Sequence, residues 1–244
     1  MRRGALEGLA VAVALFMAAC GGLAHGIGNS PEFNALSDTI HALPGLHGTP
    51  GLEIHAVRSI KTVIVHKIAV MPLVDQPDQT DKSLPADAAQ SITAAIYARA
   101  NEVGGWEVVP QDDVDAALQQ MPPVRLNQLY DEALTLGRKV AADGVIYGTV
   151  HRYKERVGFD YAAQSPAAVA FTLNFVDEKS KQVVWTAKFA REQKALSQNI
   201  LDLPNFVSHG ARWVRAHDIA VEGINAAIDN LQSKLTIEPI VEGK

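Results

Sequence analysis

Few side chains in this chain stand at spacings that chemistry needs. Ser208-His209 pairs a nucleophile type with a base type, but neighbours on a helix point about 100° apart, so the pair reads as a helix-start serine beside an exposed histidine. Asp112, Asp113 and Asp115 form an acidic cluster at the start of an amphipathic segment, where carboxylates satisfy the helix dipole. Asp75, Asp78 and Asp81 have the look of a calcium loop, but Pro77 and the lack of a bidentate glutamate break that pattern. His25, His41, His47 and His55 are spaced 16, 6 and 8 residues apart, which fits no compact metal site, and no cysteine or carboxylate cluster assists them. Gly26-Ile27-Gly28 follows no strand and so makes no dinucleotide turn. Asp143 stands where a helix gives way to a strand; a turn explains it as well as a site does. Trp106, Trp185 and Trp213 read as core or edge aromatics. There is no Gly-x-Ser-x-Gly elbow, phosphate loop or His-Glu-x-x-His helix. The expectation is a protein that is not an enzyme, with no catalytic residue, no cofactor and no metal.

One residue does have a chemistry written around it. Cys20 is the only cysteine. Before it come Met1-Arg2-Arg3, an apolar run over Leu9–Ala19 too short to span a bilayer, and the small residues Ala18-Ala19; after it comes Gly21-Gly22. This resembles a bacterial lipoprotein signal with its lipobox, although Met17 stands where leucine is usual. The resemblance implies a diacylglyceryl thioether on Cys20, cleavage before it, and acylation of the new amino terminus. Gly21 rather than Asp after the cysteine implies, by the enteric sorting rule, delivery to the outer membrane of a Gram-negative cell, facing the periplasm.

The totals agree with a soluble domain behind such an anchor. Removing 19 of 244 residues leaves 225, enough for one large domain with a tail or for two small ones. The signal takes away two arginines and one glutamate, so 20 basic and 26 acidic residues remain, a charge of −6. No basic block stands out, which argues against nucleic acid as a partner. With Cys20 lipidated, no disulfide is possible. Aromatics are 6%, so the core must be built from Val, Ile, Leu and Ala.

The expected division is a signal peptide over 1–19, a lipidated terminus and tether over 20–52, a single domain over 53–236, and a tail over 237–244. The tether is rich in Gly, Pro, His and Ala without a period. Thr62–Leu73 is apolar on both parities and predicts a strand covered on both faces. Pro85 and Asp87 open a helix carrying Ala88, Ile92, Ala95, Ile96, Arg99 and Val103, stopped by Gly104-Gly105. Trp106–Pro110 predicts a short strand, and Asp112-Asp113 a short helix after it. Leu126–Ala142 predicts a helix with Leu126, Leu129, Tyr130, Ala133, Leu136, Gly137 and Val140 on its buried face, ended at Asp143-Gly144. Val145–Arg156 predicts a strand with Val150 and Tyr153 inward, His151 and Lys154 outward. Gly158–Pro166 reads as a loop. Ala168–Val176 and Gln182–Ala190 alternate around the polar turn Asp177–Lys181, an antiparallel hairpin. Phe206–Leu235 predicts a long helix whose stripe Val207, Ala211, Val214, Val221, Ile224, Ile228, Leu231 and Leu235 faces the core. Its other face carries Arg212, Arg215, Glu222, Asn225 and Asp229, with Arg212 and Arg215 a candidate partner surface.

This order predicts an α/β fold: a mixed sheet of about five strands, parallel in its first half and hairpin-built in its second, flanked by helices. The succession KIAVMPL, WEVVPQDDVDAAL, AADGVIYGTVHRYKER and QVVWTAKF, over Ile68 to Leu235, resembles the periplasmic lipoprotein group that shares the amino-terminal fold of TolB. That group includes the curli-secretion lipoprotein and the lipoprotein activator of a peptidoglycan synthase. The resemblance is one of fold motifs, among them a helix-to-strand turn at Ala141–Gly148 where Gly144 is expected to let the chain reverse. It implies a binding, assembly or regulatory factor for an envelope complex, with a membrane attachment through Cys20 and an envelope protein as partner. A subunit of a lipoprotein ring or secretion apparatus, and a cell-wall hydrolase with a dispersed site, are the alternatives.

Overall fold

A computed structural model describes residues 49–78, 84–159, 162–192 and 215–236. The chain divides into two compact units. All described residues fall in the one made of Gly48–Lys194 and Val214–Lys244; the other, Met1–His47 and Ala195–Trp213, lies outside them.

The described elements are β1 (Leu52–Ala56), β2 (Lys67–Val70), β3 (Val74–Asp75), α1 (Ala88–Glu102), β4 (Glu107–Val108), α2 (Gln111–Gln119), α3 (Leu129–Val140), β5 (Gly144–Lys154), β6 (Val157–Phe159), β7 (Ala162–Ser165), β8 (Ala168–Asp177), β9 (Gln182–Glu192) and α4 (Ala216–Lys234). Seven strands form one sheet in the order β1-β9-β8-β5-β2-β4, with β3 also on β5; β6 and β7 make a separate hairpin. Pairings of β2 with β4, and of β5 with β2 and β3, are parallel; those of β5 with β8, β8 with β9 and β9 with β1 are antiparallel. The expected mixed sheet is present, its parallel part first and its hairpins second. The count is seven because β1 and β3 join it, and β6–β7 occupies the segment expected to be a loop.

The central strand is shorter than the apolar run suggested. Ile68 and Val70 enter one core while Ala69 and Met71 enter the other, the two-sided burial expected. Ahead of β2 the chain instead makes a 3₁₀ turn over Arg58–Thr62 and leaves Ile64 50% exposed. Its backbone there bonds to the segment after α4: Thr236 N–H donates to Val63 O at 3.0 Å, and Val65 N–H to Thr236 O at 3.2 Å.

On one face α1 packs over β4, β2, β3 and β5, and α4 over β8, β9 and β1. Ile92, Ile96 and Ala100 of α1 meet Ile219, Ile224, Ile228 and Leu231 of α4 above Ile146, Phe171, Leu173, Phe175, Trp185 and Phe189. Of the stripe predicted for the last helix, Ile224, Ile228, Leu231 and Leu235 face the core, with Ile219, Ala220, Gly223 and Ala227 filling it in, whereas Val221 is half-buried and off that face. Val207, Ala211 and Val214 lie outside the described residues. Gly223 lets α4 approach closely: a Cβ there would stand 2.8 Å from the Phe189 ring. Trp185 is fully buried and donates to Asn230 Oδ1 at 3.2 Å.

The turn from α3 into β5 works differently from the expectation. Ala141, at φ +53°, is the left-handed residue that ends the helix. Gly144 serves packing: a Cβ there would lie 2.2 Å from Cζ of Phe175. Asp143 ties the starts of the neighbouring strands β5 and β2 together, its carboxylate accepting from the backbone N–H groups of His66 and Lys67, each at 2.8 Å. Leu126 and Tyr130, expected on the buried face of that helix, are 46% and 37% exposed. Leu126 belongs to a 3₁₀ turn, Leu126–Gln128, whose tighter winding shifts it off the α-helical stripe.

Candidate functional site

Among the described residues, helices cover only half of the second face of the sheet. α2 packs on β2, and α3 on β5 and the near end of β8, around Ala69, Met71, Val114, Leu136, Val145, Tyr147 and Val176. Farther across, the strand registers align two transverse rows on this face: Glu53, Lys188, Thr172 and Thr149, then His55, Thr186, Asn174 and Tyr147. Adjacent members of a row are roughly 4.8 Å apart, the spacing of paired strands. Glu53, His55 and Lys188 are exposed, and Thr172, Asn174 and Thr186 half-buried. The Thr186 hydroxyl donates to Asn174 Oδ1 at 2.8 Å, and His55 Nε2 contacts Glu53 Oε1 at 2.7 Å.

A β-bulge brings two more groups to this surface. The pairing of β5 with β8 shifts between Val150 and Arg152, leaving His151 as the extra residue. His151 therefore emerges on the same side as Thr149: its Nε2 lies 2.9 Å from the Thr172 hydroxyl and 3.2 Å from that of Thr149. Its Nδ1 lies 3.1 Å from Gln76 O. A carbonyl can only accept, so Nδ1 carries a proton and donates to Gln76 O. Arg152, paired with Ala170 on that face, is held by Asp78 at 2.6 Å and Glu192 at 3.5 Å. Burial pushes the Tyr147 phenol up to about 12, with Tyr130 a lesser contributor, and burial also raises the Asp75 carboxyl.

Thr172 and His151 stand within reach as hydroxyl and base, but the base is oriented by a carbonyl rather than a carboxylate, and the two residues sit on an open sheet instead of in a cleft. The two clefts described lie elsewhere. One, of about 410 Å³, is between α2 and α3 and includes Lys67, Asp113, Gln120 and Lys139. The other, of about 440 Å³, lies at the start of α4 among Glu155, Arg156, Arg215, His217 and Asp218.

The residues singled out from the sequence are scattered. Arg215 is exposed just ahead of α4, its N–H donating to Asp218 at 3.2 Å, and lines the second cleft. Glu222 contacts buried Arg191 at 2.6 Å, and Asp229 pairs with Arg99 of α1. Cys20, Arg212, Ser208, His209, Asp81, Trp213, His25, His41 and His47 lie outside the described residues. His55 is on β1. Asp112 and Asp113 occupy the first turn of α2, where Pro110 is the residue before the helix. Asp75 is on β3 and Asp78 binds Arg152. Among the described residues no group of three or more His, Cys, Asp or Glu could hold a metal ion, and no helix is long and apolar enough to cross a membrane. The bulge-centred cluster was missed; its trace in the sequence is the three-residue step between inward Val150 and inward Tyr153.

No protein-family model matches the chain, and no curated protein matches it. Solved structures of similar fold include a PelC dodecamer from Paraburkholderia phytofirmans, at 15% identity and a TM-score of 0.42, covering 74% of this chain and 96% of that one. Lipoprotein GNA1162 from Neisseria meningitidis matches at 18% identity and a TM-score of 0.40, over 59% of this chain and 91% of that one. The LpoB C-terminal domain from Salmonella enterica matches at 18% identity and 0.38, over 57% and 96%. At these values the likeness carries nothing about function.

Proposed function

We infer that this protein is a non-enzymatic outer-membrane lipoprotein, attached through Cys20 and facing the periplasm, that acts as a binding, assembly or regulatory factor for an envelope complex. The observation that carries this is the half-covered sheet. Among the described residues, a strand surface presents Thr172, Asn174, Thr186 and Lys188 outward while helices pack on the rest of the sheet. Such a surface binds without reorganising, because its groups are fixed by ladder pairing. Support for the anchor comes from the residues around Cys20, where two or three acyl chains give stable attachment.

The test is chemical cross-linking in intact envelopes, followed by isolation of the full-length protein. The wild type should yield discrete cross-linked species from the outer-membrane fraction. Cys20→Ala should leave an unprocessed precursor or a soluble form, and those species should vanish. Mature, acylated protein persisting in that variant refutes the anchor; a wild type confined to the inner membrane refutes the location; cross-linked species absent from wild-type envelopes refute the binding role.

A further inference from the structure

We propose that β1 is a dimerisation strand: the edge of the sheet pairs antiparallel with β1 of a second copy of this chain, about a two-fold axis at Ile54, joining the sheets of the two copies into one.

The edge is regular and unblunted. β1 is the last strand of the sheet, and among the described residues only β9 pairs with it. Gly51 O accepts from Ala190 N–H at 2.9 Å, and Val57 N–H donates to Val184 O at 3.0 Å. The register between those two bonds has no shift, so alternation gives the backbone of Glu53 and His55 to β9 and turns that of Leu52, Ile54 and Ala56 outward. Proteins protect such an edge with brevity, a bulge, proline or lysine. The opposite edge, β4, is two residues long; β1 is five, with no bulge, proline or lysine.

The sequence of β1 selects its own copy. It reads Leu-Glu-Ile-His-Ala. Pairing centred on Ile54 sets Glu53 of each copy against His55 of the other, in the non-hydrogen-bonded positions where side chains come closest, and sets Leu52 against Ala56. The two adjacent registers that keep the faces aligned set Glu53 against Glu53 or His55 against His55, and like groups directly opposite destabilise. Within the chain Lys188 stands opposite Glu53, and Thr186 opposite His55. Across the joint the exposed row therefore runs Lys188, Glu53, His55 of the second copy, Thr186 of the second copy: each carboxylate lies between an ammonium and an imidazole. The same row repeats in reverse beside it. A foreign strand would find the same backbone groups, but the reciprocal Glu–His pairs single out the identical strand. On the other face half-buried Ile54 meets its own copy. The helix above does not obstruct this, because α4 packs on β8, β9 and β1 together. Centred on β9, the two copies of α4 stand three strand spacings apart, about 14 Å.

The experiment uses the full chain in detergent, with single cysteines introduced, oxidised and read on non-reducing gels. Cys20 is the only native cysteine, so the unsubstituted chain sets the background. An equal mixture of Glu53→Cys and His55→Cys should form disulfide dimers roughly tenfold above either variant alone. Positions 53 and 55 face each other across the joint with Cα atoms about 4.5 Å apart, whereas two copies of the same position lie beyond the ~7 Å that a disulfide spans. Lys188→Cys, exposed on the same face but one strand in, should stay at background. Adding Ile54→Pro to both members of the mixture removes the outward N–H and no bond to β9, and should return cross-linking to background; thermal melts verify that each variant folds. Without cysteines, light scattering should show the wild type to be dimeric. His55→Glu should weaken the dimer about tenfold by setting carboxylate against carboxylate twice, and Glu53→His with His55→Glu should restore it. The proposal is overturned if the mixture stays at background, if either variant alone or Lys188→Cys links as well as the mixture, if a folded Ile54→Pro mixture still links, if the wild type is monomeric, or if the exchanged pair fails to restore what His55→Glu removes.

Discussion

The two faces of one sheet have been given different work. On the face under α1 and α4, every strand from β4 to β1 is covered, and the contacts are Ile, Leu, Val, Phe and Trp. On the opposite face, among the described residues, α2 packs on β2 and α3 on β5 and the near end of β8, while β9, β1 and most of β8 present Thr, Asn, Lys, Glu and His. Both faces are carried by the same strands, so the alternation of one peptide decides both. In β8, Val169, Phe171, Leu173 and Phe175 point into the closed core while Ala170, Thr172 and Asn174 point out of it. Stability is concentrated on one side, and the other side is free to vary its chemistry. That division can be broken or sharpened by substitution.

The largest effect should come from the closed face. Ile224 is fully buried between α4 and the sheet. Ile224→Asp would put an unpaired carboxylate there, a cost above about 4 kcal/mol, and the purified protein should lose its cooperative melt. A normal melt would mean that the face is not a core. Next is the close approach of β5 and β8. Gly144→Ala would drive a methyl into the Phe175 ring and should lower stability by about 1–3 kcal/mol, read as a lower denaturant midpoint at unchanged slope.

A pH effect should mark the border of the covered region. Tyr147 is buried and its phenol is raised to about 12, whereas the unfolded chain ionises near 10. The folded state therefore holds its proton longer. The associated stability is intact below pH about 10 and is lost as pH rises through about 12, a total of at most ~3 kcal/mol. Alkaline melts should show this decline, and Tyr147→Phe should flatten it. The smallest effect belongs to the open face: Thr186→Ala with Lys188→Ala should alter stability by no more than about 0.5 kcal/mol per site. A drop of several degrees from that pair would show that the open rows are structural.

Much of the closed side could be read from the chain because its periods are local. Ile68 to Met71 announce a strand buried on both faces. Ala168–Val176 alternates without interruption, Asp177–Lys181 makes the hairpin turn, and Ile224, Ile228 and Leu231 step at helical intervals. What escaped depends on distant partners or small changes of winding. β1 is five residues beside a Gly- and Pro-rich stretch, and becomes a strand only by pairing with β9. Leu126 has the right spacing for a helix stripe, but a 3₁₀ turn rotates each residue about 120° instead of 100°. The open face was least legible because polar alternation looks like any solvated strand. Its one sharp feature, the bulge at His151, is a register shift between two strands and exists only once both are paired.

Position-resolved photocrosslinking in intact envelopes tests the division of labour most directly. A photoreactive residue placed singly at Thr186 or Lys188 samples the open rows; one placed at Ala98 of α1 or Ser233 of α4 samples the exposed outer surface of the helices that close the other face. Adducts with envelope material should form from 186 and 188 and be absent from 98 and 233. Adducts from 98 and 233, with none from 186 and 188, would contradict the account and move the binding surface to the helices.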